Sequence, residues 1–311
     1  MEKVFVGSPR YFERQGIELI GKFNCLIMNL PFSCNINCMK CYRKKNVHMD
    51  DLDIGIRMKV IAEAANMGAK VLYIPGEGEP ILHWSVIKKL VEWASLKSMV
   101  TVLYTNGLAV DEKKAQWLFD NNVSLIVSMD SLDSKTYKEL TGGATLYRLL
   151  GNLKIIREIY SSDVYCEEST VTTRLAIITI ASRQNIHELQ KIKEFCKDDM
   201  YFICNFPIKI GNAVDNWSKL VGDDISSLKR ISNKLTDTGY GGLSAPLSDG
   251  KCVALYSGLT IDTDGNVLPC PASINSSVGN VQDDSLVNLW KKTEDMLKCC
   301  GSPQCITRDI K

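Results

Sequence analysis

No apolar run in this 311-residue chain approaches the ~20 residues of a bilayer-crossing helix, so no membrane partner is expected. Charge of one sign is missing as well. The 37 Lys and Arg against 36 Asp and Glu leave +1, which gives no field to gather nucleic acid. The opening Met1-Glu2-Lys3-Val4-Phe5 lacks an export signal's basic-then-apolar pattern, so the expected location is cytoplasmic. Histidine is scarce. His48, His83 and His187 each stand beside a helical pattern, where surface or capping roles are expected. No Ser/His/Asp or paired-carboxylate arrangement can be argued from what remains.

What is present is a globular composition, 45% hydrophobic and 23% charged, with 12 cysteines. A disulfide scaffold would be short and secreted, so this many thiols in a cytosolic chain points to metal or redox chemistry. Cys34, Cys38 and Cys41 lie near the start, and Cys252, Cys270, Cys299, Cys300 and Cys305 near the end. Cys25, Cys166, Cys196 and Cys204 are scattered between and read as small buried hydrophobes.

Hydrophobic periodicity predicts strands at 25–30, 70–74, 99–104, 125–129, 175–180 and 201–208. Helical patterns alternate with them at 53–67, 84–97, 111–120, 134–140, 145–159 and 185–197, with Asp111 and Asn185 as candidate caps. Six such units predict an α/β fold with a parallel sheet and right-handed crossovers, its chemistry at the carboxyl ends of the strands. Residues 1–24 read as an N-terminal extension and 216–245 as a linker with a helix over 217–238. Within 246–311, residues 258–269 read as a hairpin turning on Asp264-Gly265, followed by a helix near 286–297.

The loop after the first strand carries Cys34-x3-Cys38-x2-Cys41. Three thiolates this close suit zinc or an iron–sulfur cluster. Structural zinc would need a fourth ligand, such as Cys25 or a remote His. A cubane on three cysteines leaves one iron open for a small molecule. The second strand is followed by Pro75-Gly76-Glu77-Gly78-Glu79-Pro80, the third by Thr105-Asn106-Gly107, and the fourth strand's end is Ser128-Met129-Asp130. Glycines allow close backbone approach, carboxylates can meet an ammonium group, and hydroxyl and carboxylate oxygens can bind sugar hydroxyls.

Taken together, these motifs over residues 24–215 resemble the radical S-adenosylmethionine (SAM) superfamily. The resemblance implies a partial (β/α)6 TIM-like barrel with a [4Fe–4S] cluster on Cys34, Cys38 and Cys41. In that family the open iron binds SAM through its amino and carboxylate groups. An electron then breaks the S–C5′ bond, and the 5′-deoxyadenosyl radical takes a substrate hydrogen. By position, Glu77, Gly78 and Glu79 would hold the methionine amino group, Asn106 would help line the cofactor site, and Ser128 and Asp130 would hold the ribose. Arg174 would meet the SAM carboxylate or form an ion pair. A flavodoxin- or ferredoxin-type electron donor is implied. Lys40 stands where the family usually has an aromatic residue, with Tyr42 just after, and Glu77 stands where many members have a glycine. The run Arg43-Lys44-Lys45 is expected to be a solvated face, or else to bind an anionic substrate.

The tail resembles the SPASM/twitch extension of such enzymes, a small C-terminal β-hairpin/helix iron–sulfur domain. Five cysteines fit one auxiliary [4Fe–4S] cluster, on Cys252, Cys270, Cys305 and one of Cys299 and Cys300, with Cys300 expected; a zinc ribbon is the alternative. In size and tail the chain resembles twitch-bearing enzymes that oxidise or epimerise sugars and aminocyclitols, which implies oxidation of a small sugar- or aminocyclitol-like substrate. Epimerisation is the second reading, with Cys204 facing into the barrel as hydrogen donor. Maturation of a ribosomal peptide is a third, ranked lower because only about 24 residues precede the first strand. A non-catalytic zinc or iron–sulfur module is the alternative of a different class. Asn29 and Asn205 are further candidates to line the barrel.

Overall fold

The computed structural model describes residues 2–19, 21–43, 51–167, 169–197, 199–223, 225–237, 257–270 and 276–299. The chain opens with β1 (Glu2–Phe5) and α1 (Pro9–Arg14), then β2 (Cys25–Met28), α2 (Ile54–Asn66), β3 (Val71–Ile74), a 3-10 turn (Pro80–His83) and α3 (Trp84–Leu96). It continues through β4 (Val100–Thr105), α4 (Glu112–Asp120), β5 (Ser124–Ser128), α5 (Ser134–Thr141), α6 (Leu146–Tyr160), β6 (Tyr165–Glu167), β7 (Thr170–Thr173) and β8 (Leu175–Ile180). There follow α7 (Leu189–Cys196), β9 (Tyr201–Asn205), α8 (Asn212–Asp215), α9 (Trp217–Leu220), α10 (Ile225–Leu235), β10 (Gly258–Ile261), β11 (Asn266–Leu268), β12 (Gly279–Asn280) and α11 (Leu286–Cys299).

The main sheet has the order β12-β11-β10-β2-β3-β4-β5-β8-β9. From β10 to β9 every pairing is parallel, and no pairing among the described residues closes the sheet into a ring. This is the α/β parallel sheet expected from the alternating pattern, curved into the partial barrel that the resemblance implied. Strand alternation assigns the two faces. Leu26, Leu72, Leu103, Leu125, Ile177 and Phe202 face the helices, whereas Ile27, Tyr73, Val102, Ile126, Ala176 and Ile203 face the concave interior. Helix starts obey local chemistry: the Asp111 side chain accepts from Lys114 N at 2.8 Å, capping α4 as expected. Asn185 does not cap α7. It lies in the turn ahead of that helix, where its carboxamide donates to the carbonyls of Asp130 and Ile180 and accepts from Ser182 N.

Two expectations of segmentation change. Residues 2–19 are a plug rather than an extension: β1 pairs with β7, and Phe5, Phe12 and Leu19 fill the concave interior against Ile27, Tyr73 and Tyr201. The Tyr73 hydroxyl donates to the Gly7 carbonyl at 2.6 Å, locking the plug to β3. The first part of the expected linker changes as well, since α10 is the helix of the sixth β/α unit; residues 238–245 lie outside the described residues. Beyond α10, Asp237 pairs with Phe202 through both backbone and carboxylate, and Thr236 binds both backbone groups of Cys204. These contacts cover the outer edge strand β9.

The hairpin forms as expected, with Gly265 at φ +86 in its turn, a left-handed conformation that favours glycine. It is part of the barrel sheet, because β10 pairs with β2 from Gly258↔Cys25 to Ile261↔Met28. Leu286, Leu289 and Trp290 of α11 join the main core, Trp290 edge-to-face on Phe23 at 5.2 Å. Of the expected auxiliary ligands only Cys270 lies among residues whose side chains are described, two positions past β11. Cys252, Cys300 and Cys305 lie outside the described residues, and the side chain of Cys299 is not described. No helix among the described residues is long and apolar enough to cross a membrane.

Candidate functional site

The loop after β2 crosses the carboxyl end of the sheet and is held by hydrogen bonds from four sides. Asn37 N and Met39 N donate to the Thr141 and Leu140 carbonyls, satisfying two orphan acceptors at the end of α5. From beyond β3, Glu79 N donates to the Ser33 carbonyl at 2.6 Å, and the Tyr42 hydroxyl donates to the Gly76 carbonyl at 2.5 Å. From beyond β4, the Asn106 amide donates to Asn35 Oδ1 at 2.7 Å. At the start of α8, Ala213 N donates to the Cys41 carbonyl. Gly78 runs against this loop so closely that a β-carbon on it would lie 2.3 Å from the Ser33 carbonyl oxygen.

Cys34, Cys38 and Cys41 are half-buried on this loop. Burial pushes all three thiols up, Cys38 to about 12, and Cys34 and Cys38 are raised further by others of the three. At neutral pH they become thiolates only beside a compensating positive centre. Among the described residues no three Cys, His, Asp or Glu side chains converge as a single metal ion requires. Cys25 cannot complete a zinc shell, since it sits at the opposite end of β2 in the concave interior. Three thiols on one loop, with Cys25 ruled out as their fourth partner, match the donor set of a cubane with an open corner.

Glu79 is buried, and both its oxygens accept from the protein. Oε1 takes the Thr105 hydroxyl at 2.6 Å and Ile81 N at 3.2 Å, and Oε2 takes Asn106 N at 2.6 Å. Burial pushes its carboxyl up to about 7. Its role here is to shape the turns after β3 and β4. Glu77 differs. Its Oε1 accepts from Asn29 Nδ2 at 3.0 Å and from Arg43, while its Oε2 is buried with no partner, as is Asn29 Oδ1. These two orphan acceptors fit a ligand's ammonium group. Burial, followed by the nearby Arg43, governs the Glu77 carboxyl, whose pKa stands at about 7. Arg43 therefore departs from the solvated face expected of its run, because its guanidinium is drawn inward by Glu77 and stacks 5.4 Å from the Tyr42 ring.

Asp130 is also buried. Its Oδ1 accepts from Ile180 N at 2.9 Å and its Oδ2 is ion-paired with Lys40, which leaves only secondary lone pairs for a sugar hydroxyl. Ser128 is half-buried at the end of β5 on the concave side, by alternation with Ile126. Tyr104, Ile178, Ile180 and Asn205 are half-buried likewise on the upper concave face. Together they form an open chamber with hydroxyl and carboxamide walls above the N-terminal plug.

Two expected residues lie elsewhere. Arg174 precedes β8, at the end of the sheet away from the cysteine loop. It pairs with Asp163 at 2.6 Å, donates to the Phe119 carbonyl and stacks 4.5 Å from the Phe119 ring. The ion pair, and not the SAM carboxylate, accounts for it. Cys204 faces the helices, in the same core layer as Phe202, so it cannot deliver hydrogen into the chamber. Lys40 and Arg43 as partners of the site's carboxylates are what the sequence reading missed; Lys40's departure from the family pattern was the signal.

Comparison with known proteins follows this geometry. A family model described as "Radical SAM superfamily" matches residues 28–196, and one described as "Iron-sulfur cluster-binding domain" (SPASM) matches residues 252–303. A "Probable GTP 3′,8-cyclase" of Methanocaldococcus jannaschii is 27% identical over 179 residues, covering 56% of this chain and 55% of that protein. The chain thus spans little more than half the length of that relative. Among solved structures, Streptococcus suis SuiB bound to precursor peptide SuiA superposes with a TM-score of 0.64 at 17% identity, covering 90% of this chain and 67% of that one. Native anSMEcpe with bound AdoMet gives 0.61 at 17% identity, covering 90% and 84%. These likenesses extend the shared fold to most of the chain.

Proposed function

The chain belongs to the radical SAM superfamily, and from that premise we propose that it oxidises a carbon–hydrogen bond of a small hydroxylated substrate, sugar- or aminocyclitol-like. It is a radical SAM enzyme with a SPASM domain, and its cofactors are SAM, a [4Fe–4S] cluster and an auxiliary cluster. The observation that carries the substrate class is the chamber wall: Tyr104 of β4 and Asn205 of β9 present hydroxyl and carboxamide groups on the concave side of the sheet.

In this reading Cys34, Cys38 and Cys41 hold the SAM-binding cluster. The orphan oxygens of Glu77 and Asn29 receive the methionine ammonium group, while the Gly78 backbone lets the cofactor approach. Glu79 acts indirectly, fixing Asn106 and the Thr105 turn. Ser128 and the remaining lone pairs of Asp130 take the ribose hydroxyls. Cys252, Cys270, Cys305 and one of Cys299 and Cys300 hold the auxiliary cluster. When bound, the cofactors supply a hydrogen-abstracting carbon radical and an acceptor for the electron then left on the substrate, its second hydrogen leaving as a proton. The chamber's side chains orient the hydroxyl-bearing carbon, and the apolar plug beneath them keeps the floor dry.

Anaerobic incubation with reductant, SAM and a panel of sugars and aminocyclitols should yield 5′-deoxyadenosine together with a product two hydrogens lighter. A product of unchanged mass, or turnover only with a peptide, would sink the proposal. Peptide modification is the second reading, supported by the fold shared with a peptide-bound structure. Epimerisation through Cys204 is not carried forward, because that thiol lies behind the sheet.

A further inference from the structure

We propose that Lys40 tunes the reduction potential of the SAM-binding cluster through the field of its ammonium group, and that Asp130 limits this effect by pairing with it. The inference rests on the placement of that cluster on Cys34, Cys38 and Cys41. Lys40 sits immediately before the third of these cysteines, and its side chain is only 12% exposed. It is anchored to Asp130, whose side chain is 3% exposed and whose other oxygen is fixed by Ile180 N. Lys40 lies between Cys38 and Cys41 in sequence, and its ion pair with the buried Asp130 holds the ammonium group beside the cysteine loop. Where the family usually has an apolar ring, this chain therefore carries a positive charge beside the iron ligands with a fixed counter-charge behind it.

A [4Fe–4S]2+ core on three thiolates has net charge −1, and reduction by one external electron to [4Fe–4S]+ makes it −2. A nearby cation favours the more negative state and a nearby anion disfavours it, and local charge is one of the determinants of such potentials. An intact Lys40–Asp130 pair is nearly neutral at a distance, so each partner should be visible only when the other is removed. Lys40→Met leaves Asp130 unbalanced and lowers the potential. Asp130→Asn frees the ammonium and raises it. The double variant returns towards wild type.

The test is a potentiometric titration of the reconstituted full-length protein with titanium(III) citrate, following the electron paramagnetic resonance signal that added SAM perturbs. At a fixed potential, Lys40→Met should cut the reduced-to-oxidised ratio about tenfold, a ~59 mV shift for one electron. Asp130→Asn should raise the ratio, and Lys40→Arg should match wild type. Shifts in the same direction for both single variants, or none larger than experimental scatter, would overturn the inference. If Lys40→Met fails to hold iron, Lys40→Gln replaces it. Loss in both with an unshifted Lys40→Arg and a raised Asp130→Asn still supports a charge role, and loss in Lys40→Arg as well overturns it. A wild-type protein with no SAM-perturbed signal overturns the cluster placement itself.

Discussion

Gly78 shows how little tolerance the site has for change at one atom. A methyl group there would meet the Ser33 backbone, which is itself fixed by Glu79 N, so the cysteine loop would have to move as a unit. Gly78→Ala should therefore lower iron bound at the first site after anaerobic reconstitution by more than half, with little change in secondary structure by circular dichroism. Single residues were the most legible part of the sequence. The cysteines and the Glu-rich turn are short-range patterns whose residue types already limit the chemistry. Cys204 and Arg174 were misplaced because their roles depend on which face, or which end, of a strand they occupy. A one-residue change of register exchanges the two faces, and spacing alone does not encode it.

Elements show the same division between local and distant information. The six strands and their helices followed from apolar periodicity, and α4 began where Asp111 said it would. Residues 2–19 were harder, because β1 pairs with β7 about 170 residues away and its apolar positions acquire meaning only from the barrel interior they fill. Phe12 is the test of that role, being 5% exposed within this layer. Phe12→Ala should cost about 3–5 kcal/mol of stability. Chemical denaturation would read that loss as a lowered midpoint. A midpoint within error of wild type would mean that the segment lies on the sheet without supporting it.

Across the whole molecule, the seam between β10 and β2 joins the C-terminal iron–sulfur segment to the strand leading into the first cysteine loop. It is tight: a β-carbon on Gly258 would lie 2.2 Å from the Cys25 thiol and 2.3 Å from its carbonyl oxygen. Gly258→Ala should part the seam and leave β2 as an exposed edge, the kind of strand that recruits other chains. Size-exclusion chromatography should then show earlier elution, with reduced iron at the first site. The sequence did reveal this hairpin, because Asp264-Gly265 is a local turn signal. It could not reveal the hairpin's neighbour, a pairing across more than two hundred residues.

That distance has a temporal meaning for synthesis on the ribosome. Asn29, the neighbour of Glu77, takes its backbone position from the Ile261 carbonyl at 2.9 Å, so on the nascent chain this last brace of the first centre forms only after β10 has left the exit tunnel. Iron delivery to the first centre is accordingly expected late, after β10 has emerged. Chains stalled short of Gly258 should remain colourless in cells that load the finished protein.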